Sequence, residues 1–129
     1  MEIFRDPKNA ALEFQLRFSA KDYLLAGEIA SGKMAERIRE LLAFCEANVD
    51  ACEKDRLALK DKVTATAALL EASPSRAVVD VTTYVNNANP KAVTLELVPM
   101  GQVWKVTQSR DGSAQTAGAA NPAPVMVTP

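Results

Sequence analysis

The chain has 129 residues, 48% hydrophobic and 24% charged, with 15 basic and 16 acidic side chains and a net charge of −1. That length is one domain's worth, able to bury a core without metals or disulfides. Residues 1–60 carry 10 Lys and Arg against 11 Asp and Glu, and residues 61–129 carry five of each, so no basic arm or acidic tail makes an electrostatic case for nucleic acid.

The N-terminus, MEIFRDPKNA, has no apolar run of signal-peptide length. As written the chain reads as cytoplasmic, and as periplasmic or cell-envelope if a leader was removed. Asp6 can cap the free amides of a first turn, and Pro7 is preorganised for the first helical position, so a helix is expected to start there. Ala11, Phe14 and Phe18 recur at helical spacing, with Leu12 and Leu16 widening the stripe. Ser19 to Asp22 reads as a break and a new cap. A short second helix, DYLLAGEIAS, follows and is expected to end at Ser31-Gly32. In the third, Met34, Ile38, Leu41, Leu42 and Cys45 line one face, while Glu36, Arg37, Arg39 and Glu40 take the other, as in a surface helix docked on a core. Residues 50–59 read as a short charged helix.

Between Lys33 and Ser73 there is neither Gly nor Pro, which leaves a long helical hairpin through residue 72 as the competing reading. Val63, Thr64 and Thr66 are β-branched and the segment runs into Ser-Pro-Ser, which favours a strand. RAVVDVTTYVNN, KAVTLELVP and QVWKVTQS, separated by Asn-Ala-Asn-Pro and Pro-Met-Gly, complete a four-stranded antiparallel meander. Alternation puts Val79, Val81, Val85, Val93, Leu95, Leu97, Trp104 and Val106 under the helices. The opposite face carries Thr64, Thr66, Thr82, Tyr84, Thr94 and Val103. The expectation is therefore one α+β domain over residues 1–109, with helices within about 7–59 and strands within about 61–109: three N-terminal helices on a curved, cone-shaped four-stranded sheet, with a short extra helix before the sheet. Residues 110–129 lack periodicity and read as a flexible Ala/Pro/Thr-rich tail, and no segment suits a membrane span.

The chain contains no His, which removes the commonest general base, metal ligand and triad member. Gly27 and Gly32 are isolated, so no phosphate loop is present, and neither a metal nor another cofactor is expected. Cys45 and Cys52 form neither a redox CxxC nor half of a zinc site. Along one continuous helix they would stand about 10 Å apart, beyond the ~7 Å that a disulfide can bridge. A bridge between them requires a helix break near Asn48 to Asp50, and otherwise both are reduced thiols. Asp22 reads as a cap, Asp80 and Glu96 as outward strand residues, and Tyr23 and Tyr84 as packing residues. Trp104, by its phase, closes the core.

The order of elements, with Ala20, Lys21, Asp22 and Tyr23 after a Phe-bearing first helix and Gly101, Trp104, Lys105 and Val106 in the closing strand, resembles the nuclear transport factor 2-like superfamily, in particular bacterial lumazine-binding-like domains. The resemblance spans about residues 6–108 and departs from the family in a charged insertion around residues 46–60. It implies a cone-shaped fold with a pocket between helices and sheet, and no reaction, because the acidic or His dyad of enzymatic relatives is missing. Many such relatives are exported or lipid-anchored.

The functional expectation is a non-enzymatic bacterial module for a small apolar ligand or a protein partner, with Phe14, Phe18, Tyr23 and Trp104 as ligand residues. A homodimer through the sheet face would use Thr66, Thr82, Tyr84 and Thr94, since that face is read as poor in charge. Two alternatives stand beside it. One is a small enzyme or carrier with an apolar cone pocket, in which a register shift turns Asp80 or Tyr84 inward; the other is a helical adaptor built on a hairpin over residues 33–72.

Overall fold

A computed structural model describes residues 5–111. Four helices, α1 (Pro7–Ser19), α2 (Tyr23–Gly27), α3 (Gly32–Ala47) and α4 (Val49–Leu59), precede four strands, β1 (Val63–Ser73), β2 (Arg76–Val85), β3 (Ala88–Met100) and β4 (Val103–Asp111). The strands form one antiparallel sheet in the order β1-β2-β3-β4, curved and unclosed. The α+β architecture is the one expected. The tail expected from residue 110 begins two residues inside β4, and its remainder lies outside the described residues.

Local chemistry accounts for most boundaries. The Asp6 carboxylate accepts from the amides of Lys8 at 2.8 Å and Asn9 at 3.4 Å, and Pro7 occupies the first helical turn. Asp22 caps α2 by accepting from the Leu25 amide at 3.5 Å. The helical hairpin through residue 72 does not form, because residues 63–73 pair along β2 from Val63↔Val85 to Ser73↔Arg76. Asn86 and Asn87, both at positive φ, make the two-residue turn between β2 and β3, as the twist of a hairpin demands. Strand β3 therefore starts at Ala88, three residues before the expected Lys91. Gly101, at φ 70°, opens the β3–β4 turn.

The second helix is shorter than the sequence suggests, and Gly32 does not end it. After Gly27 the chain extends so that Ile29 O accepts from the Val106 amide at 2.7 Å and the Ser31 amide donates to Val106 O at 2.9 Å. This parallel bridge, Ala30↔Val106, covers part of the β4 edge. Pairing the sheet edge displaces a second helical turn, and Gly32 then begins α3.

Helix α1 crosses all four strands, while α3 leans on β4 and α2. Phe14, Ile29, Ile38, Val79, Val81, Leu95, Leu97 and Val106 are almost wholly buried between the layers. Val85, Thr83 and Trp104 share that face, with Trp104 half-buried opposite Pro99 and packed against the core. Asp80 and Tyr84 pair with Ala68 and Thr64 on the opposite face, so the register shift needed to turn them inward is not present. No helix among the described residues is long and apolar enough to cross a membrane.

Candidate functional site

The mouth of the fold, between α1, the start of α3 and the adjoining ends of β3 and β4, forms an open, solvent-facing cavity of about 580 Å³. Its apolar lining is Phe18, Met34 and Val93. Phe18 comes from the stripe of α1, where it stacks on Phe14 with ring centroids 5.6 Å apart and meets the Tyr23 ring edge-on. Gln15, only 6% exposed, lies on the same helix between the two phenylalanines and reaches this cavity. Its Nε2 donates to Ser19 Oγ at 3.2 Å, and among the described residues its Oε1 accepts no hydrogen bond.

Four cationic side chains, Lys33, Arg37, Lys91 and Arg110, line the same cavity, and among the described residues no acidic side chain lines it. Lys33 and Arg37 stand one turn apart on α3. Lys91 shares the phase of Val93, Leu95 and Leu97 on β3, pairing with Thr83 on the helix side of the sheet. A bulge at Thr107 shifts the register of β4, so that Ser109 pairs with Leu95 on the inner side and Gln108 with Glu96 on the outer. Among the described residues, Lys33, Arg37 and Lys91 make no ion pair. Arg110 contributes to holding the Glu96 carboxyl below its ordinary pKa, so part of its charge is answered from the outer face.

A second groove, of about 410 Å³ between α1, the end of α4 and the start of β1, is electrically different. Its Arg17, Arg56 and Lys60 are matched by Glu13, Asp22 and Asp61, with Arg17 bonded to Glu13. A third, of about 340 Å³, lies beside the disulfide and is lined by Tyr23, Leu24, Leu42 and Val49.

The four expected ligand residues are therefore not gathered in one place. Phe18 lines the large cavity and Tyr23 the groove by the disulfide. Phe14 is sealed at 0% exposure and cannot touch a ligand, because α1 lies flat across the sheet. Trp104 packs on the core at the β3–β4 turn and lines none of the three cavities. Sequence reasoning passed over Lys91, although a lysine in the apolar phase of a strand was a visible signal. Lys33 and Arg37 gave a fainter one, as like charges one turn apart.

Of the expected interface residues, Thr66, Thr82 and Tyr84 do lie on the outer face. Thr94 does too, but is 1% exposed, with its Oγ1 donating to Asp80 Oδ1 at 2.6 Å, so it cannot meet a partner. The face is also less poor in charge than expected. Arg76 bridges Glu71 and Glu96, and Gln108 Nε2 donates to Glu96 at 3.0 Å. Those bonds, that of Gln108 foremost, hold the Glu96 carboxyl below the usual carboxylate range, and the Glu96 bond raises the Arg76 guanidinium. The uncharged half is confined to Thr64, Thr66, Ala68, Thr82, Tyr84 and Ala92.

Cys45 and Cys52 are joined in a disulfide with Cα atoms 5.6 Å apart. The required break is present: α3 stops at Ala47, Asn48 leaves the helical conformation at φ −137°, and α4 restarts at Val49. Among the described residues no group of three or more Cys, Asp or Glu is placed to hold a metal ion. Set against protein-family models, curated proteins and solved structures, the chain finds no match in any of the three.

Proposed function

We propose that the protein is a non-enzymatic binding module whose ligand enters the cavity between α1, α3, β3 and β4. One observation carries this reading: the cavity combines an apolar wall of Phe18, Met34 and Val93 with a nearly buried amide, Gln15, whose Oε1 accepts no hydrogen bond among the described residues. Its volume, about 580 Å³, is in the range of small-molecule sites. Kinship with nuclear transport factor 2-like, lumazine-binding-like domains of bacteria is part of the proposal and is supported by the order of elements, helices first and then a four-stranded meander. A cell-envelope location is supported by the Cys45–Cys52 disulfide, since such bonds persist in oxidising compartments.

Native mass spectrometry after exposure to a small-molecule extract tests the reading. The expected result is a retained molecule of unchanged mass. It is lost in Ser109→Trp, which fills the mouth from an exposed position. Recovery of a chemically altered molecule would overturn the non-enzymatic assignment, and retention by Ser109→Trp would overturn the site.

The proposal includes a homodimer through the uncharged half of the outer face, supported by the gathering of that face's ion pairs around Arg76 at its other end. Thr82→Lys places a charge where the interface must be dry, at a cost of several kcal/mol. Light scattering should find a wild-type dimer and a monomeric variant. A wild-type mass near that of one chain excludes this contact.

A further inference from the structure

We infer that the ligand of the cavity between α1, α3, β3 and β4 is an amphiphile with an apolar body and one anionic head, a phosphate or carboxylate, and that Lys33, Arg37 and Lys91 receive the head. The inference rests on the binding-site reading above and adds the ligand's charge. Among the described residues, three of the four cations that line the cavity have no carboxylate partner, and no acid is among the residues that line it. The neighbouring groove, with three cations and three acids, shows that this one-sidedness is not a general property of the molecule's clefts.

Lys33 and Arg37 stand where a positive charge is disfavoured in the free protein, and Lys91 stands at an exposed position of the sheet's inner face. Lys33 lies in the first turn of α3, which contains no acid, so its charge faces the positive end of the helix dipole. Arg37 repeats that charge one turn later, where like charges repel. Lys91 occupies the inner face of β3, in the phase otherwise given to Val93, Leu95 and Leu97. A bound anion answers all three charges at once. The cations are exposed, whereas Met34 and Val93 are buried, Phe18 is half-buried, and these three supply apolar surface for the rest of the molecule. Gln15 can serve the same head: if its amide turns over, Ser19 Oγ donates to Oε1 and the NH₂ group is released into the cavity.

Binding of octyl phosphate, of 1-octanol and of vesicles of an anionic phospholipid, measured by calorimetry on the full chain, separates the possibilities. Octyl phosphate is expected to bind at least about tenfold more tightly than 1-octanol. The double variant Arg37→Gln/Lys91→Gln is expected to lose about tenfold or more in octyl phosphate affinity, as for hydrogen bonds to a charged group, with octanol affinity unchanged. All the altered side chains are exposed, so the variants keep the fold, which circular dichroism checks. Equal binding of the two probes overturns the anionic class and leaves the cavity reading intact. Octyl phosphate binding that survives Ser109→Trp overturns the placement. Binding to vesicles without binding of the monomeric probe overturns the inference, since a flat membrane surface then suffices. Failure of every probe removes the amphiphile, while a neutral molecule retained from the extract would still uphold the cavity.

Discussion

Gly32 adopts φ 54°, and a Cβ there would stand 2.7 Å from Thr107 Oγ1. Two separable penalties follow for Gly32→Ala: about 1 kcal/mol or more for a left-handed alanine, and a further contact cost that brings the total to about 2 kcal/mol or more. Thr107→Ala in the same chain should recover the contact part and leave the backbone part, a coupling that urea unfolding of the two single variants and the double variant measures. Glu96 makes a different kind of prediction. Its folded pKa is depressed by Gln108 and Arg76, so on acidification the unfolded chain takes up a proton first, near the ordinary glutamate value of about 4.3. The stabilisation is therefore complete above about pH 5 and lost as pH falls through the lower folded value. Glu96→Gln should lower stability at neutral pH and flatten its decline between about pH 5 and pH 3. An unchanged slope would mean that solvent screens the pair completely.

At the scale of elements, α3 and α4 differ in what anchors them. Met34 and Ile38 seat α3 in the core, whereas α4 buries no residue and is tied to α3 by the disulfide. Asn48 Nδ2 also donates to Phe44 O at 2.9 Å across the break. Replacing both cysteines by serine should then loosen α4 as a local unit. Hydrogen exchange of amides 49–59 is expected to accelerate by at least about tenfold, with β2 and β3 unchanged. Acceleration throughout the sheet would show that α4 supports the whole fold. Within α3, Lys33→Glu reverses a charge at the positive end of the helix dipole and ends its repulsion with Arg37. The variant should be more stable than the wild type by about 0.5–1 kcal/mol in chemical unfolding, although it removes a group assigned to the anionic head. A loss of stability would show that Lys33 has a structural role.

The molecule as a whole is held by α1 lying across every strand, with Phe14 fully buried at the crossing. Phe14→Ala should cost about 4 kcal/mol, since a large core aromatic leaves both lost transfer energy and a cavity. Trp104 is half-buried at the β3–β4 end, and its truncation should cost about 2 kcal/mol, because less of its surface leaves water on folding. Equal losses in urea unfolding would place Trp104 at the centre of the core. The sheet register was legible because alternation is a property of neighbours in the chain: Val79, Val81, Leu95 and Leu97 announce their face without reference to anything distant. The bulge at Thr107 interrupts that logic, at a position where Gly32 approaches closely from another element.

What the sequence by itself determined, then, was the order of helices and strands, the capping roles of Asp6 and Asp22, and the buried face of the meander, all set by side-chain periodicity and local hydrogen bonding. The helix break at Asn48, which brings Cys45 to Cys52, could be stated from geometry only as a condition. Tertiary structure alone decided that α2 stops early, because the Val106 backbone claims residues 29–31. It also sealed Phe14, buried Thr94 against Asp80, and brought Gln15, Lys33, Arg37 and Lys91 to one cavity. Those four residues come from three elements spread over more than 70 positions, and no local pattern encodes their meeting. It follows from how the helices cross the curved sheet, which is fixed by packing the apolar faces together.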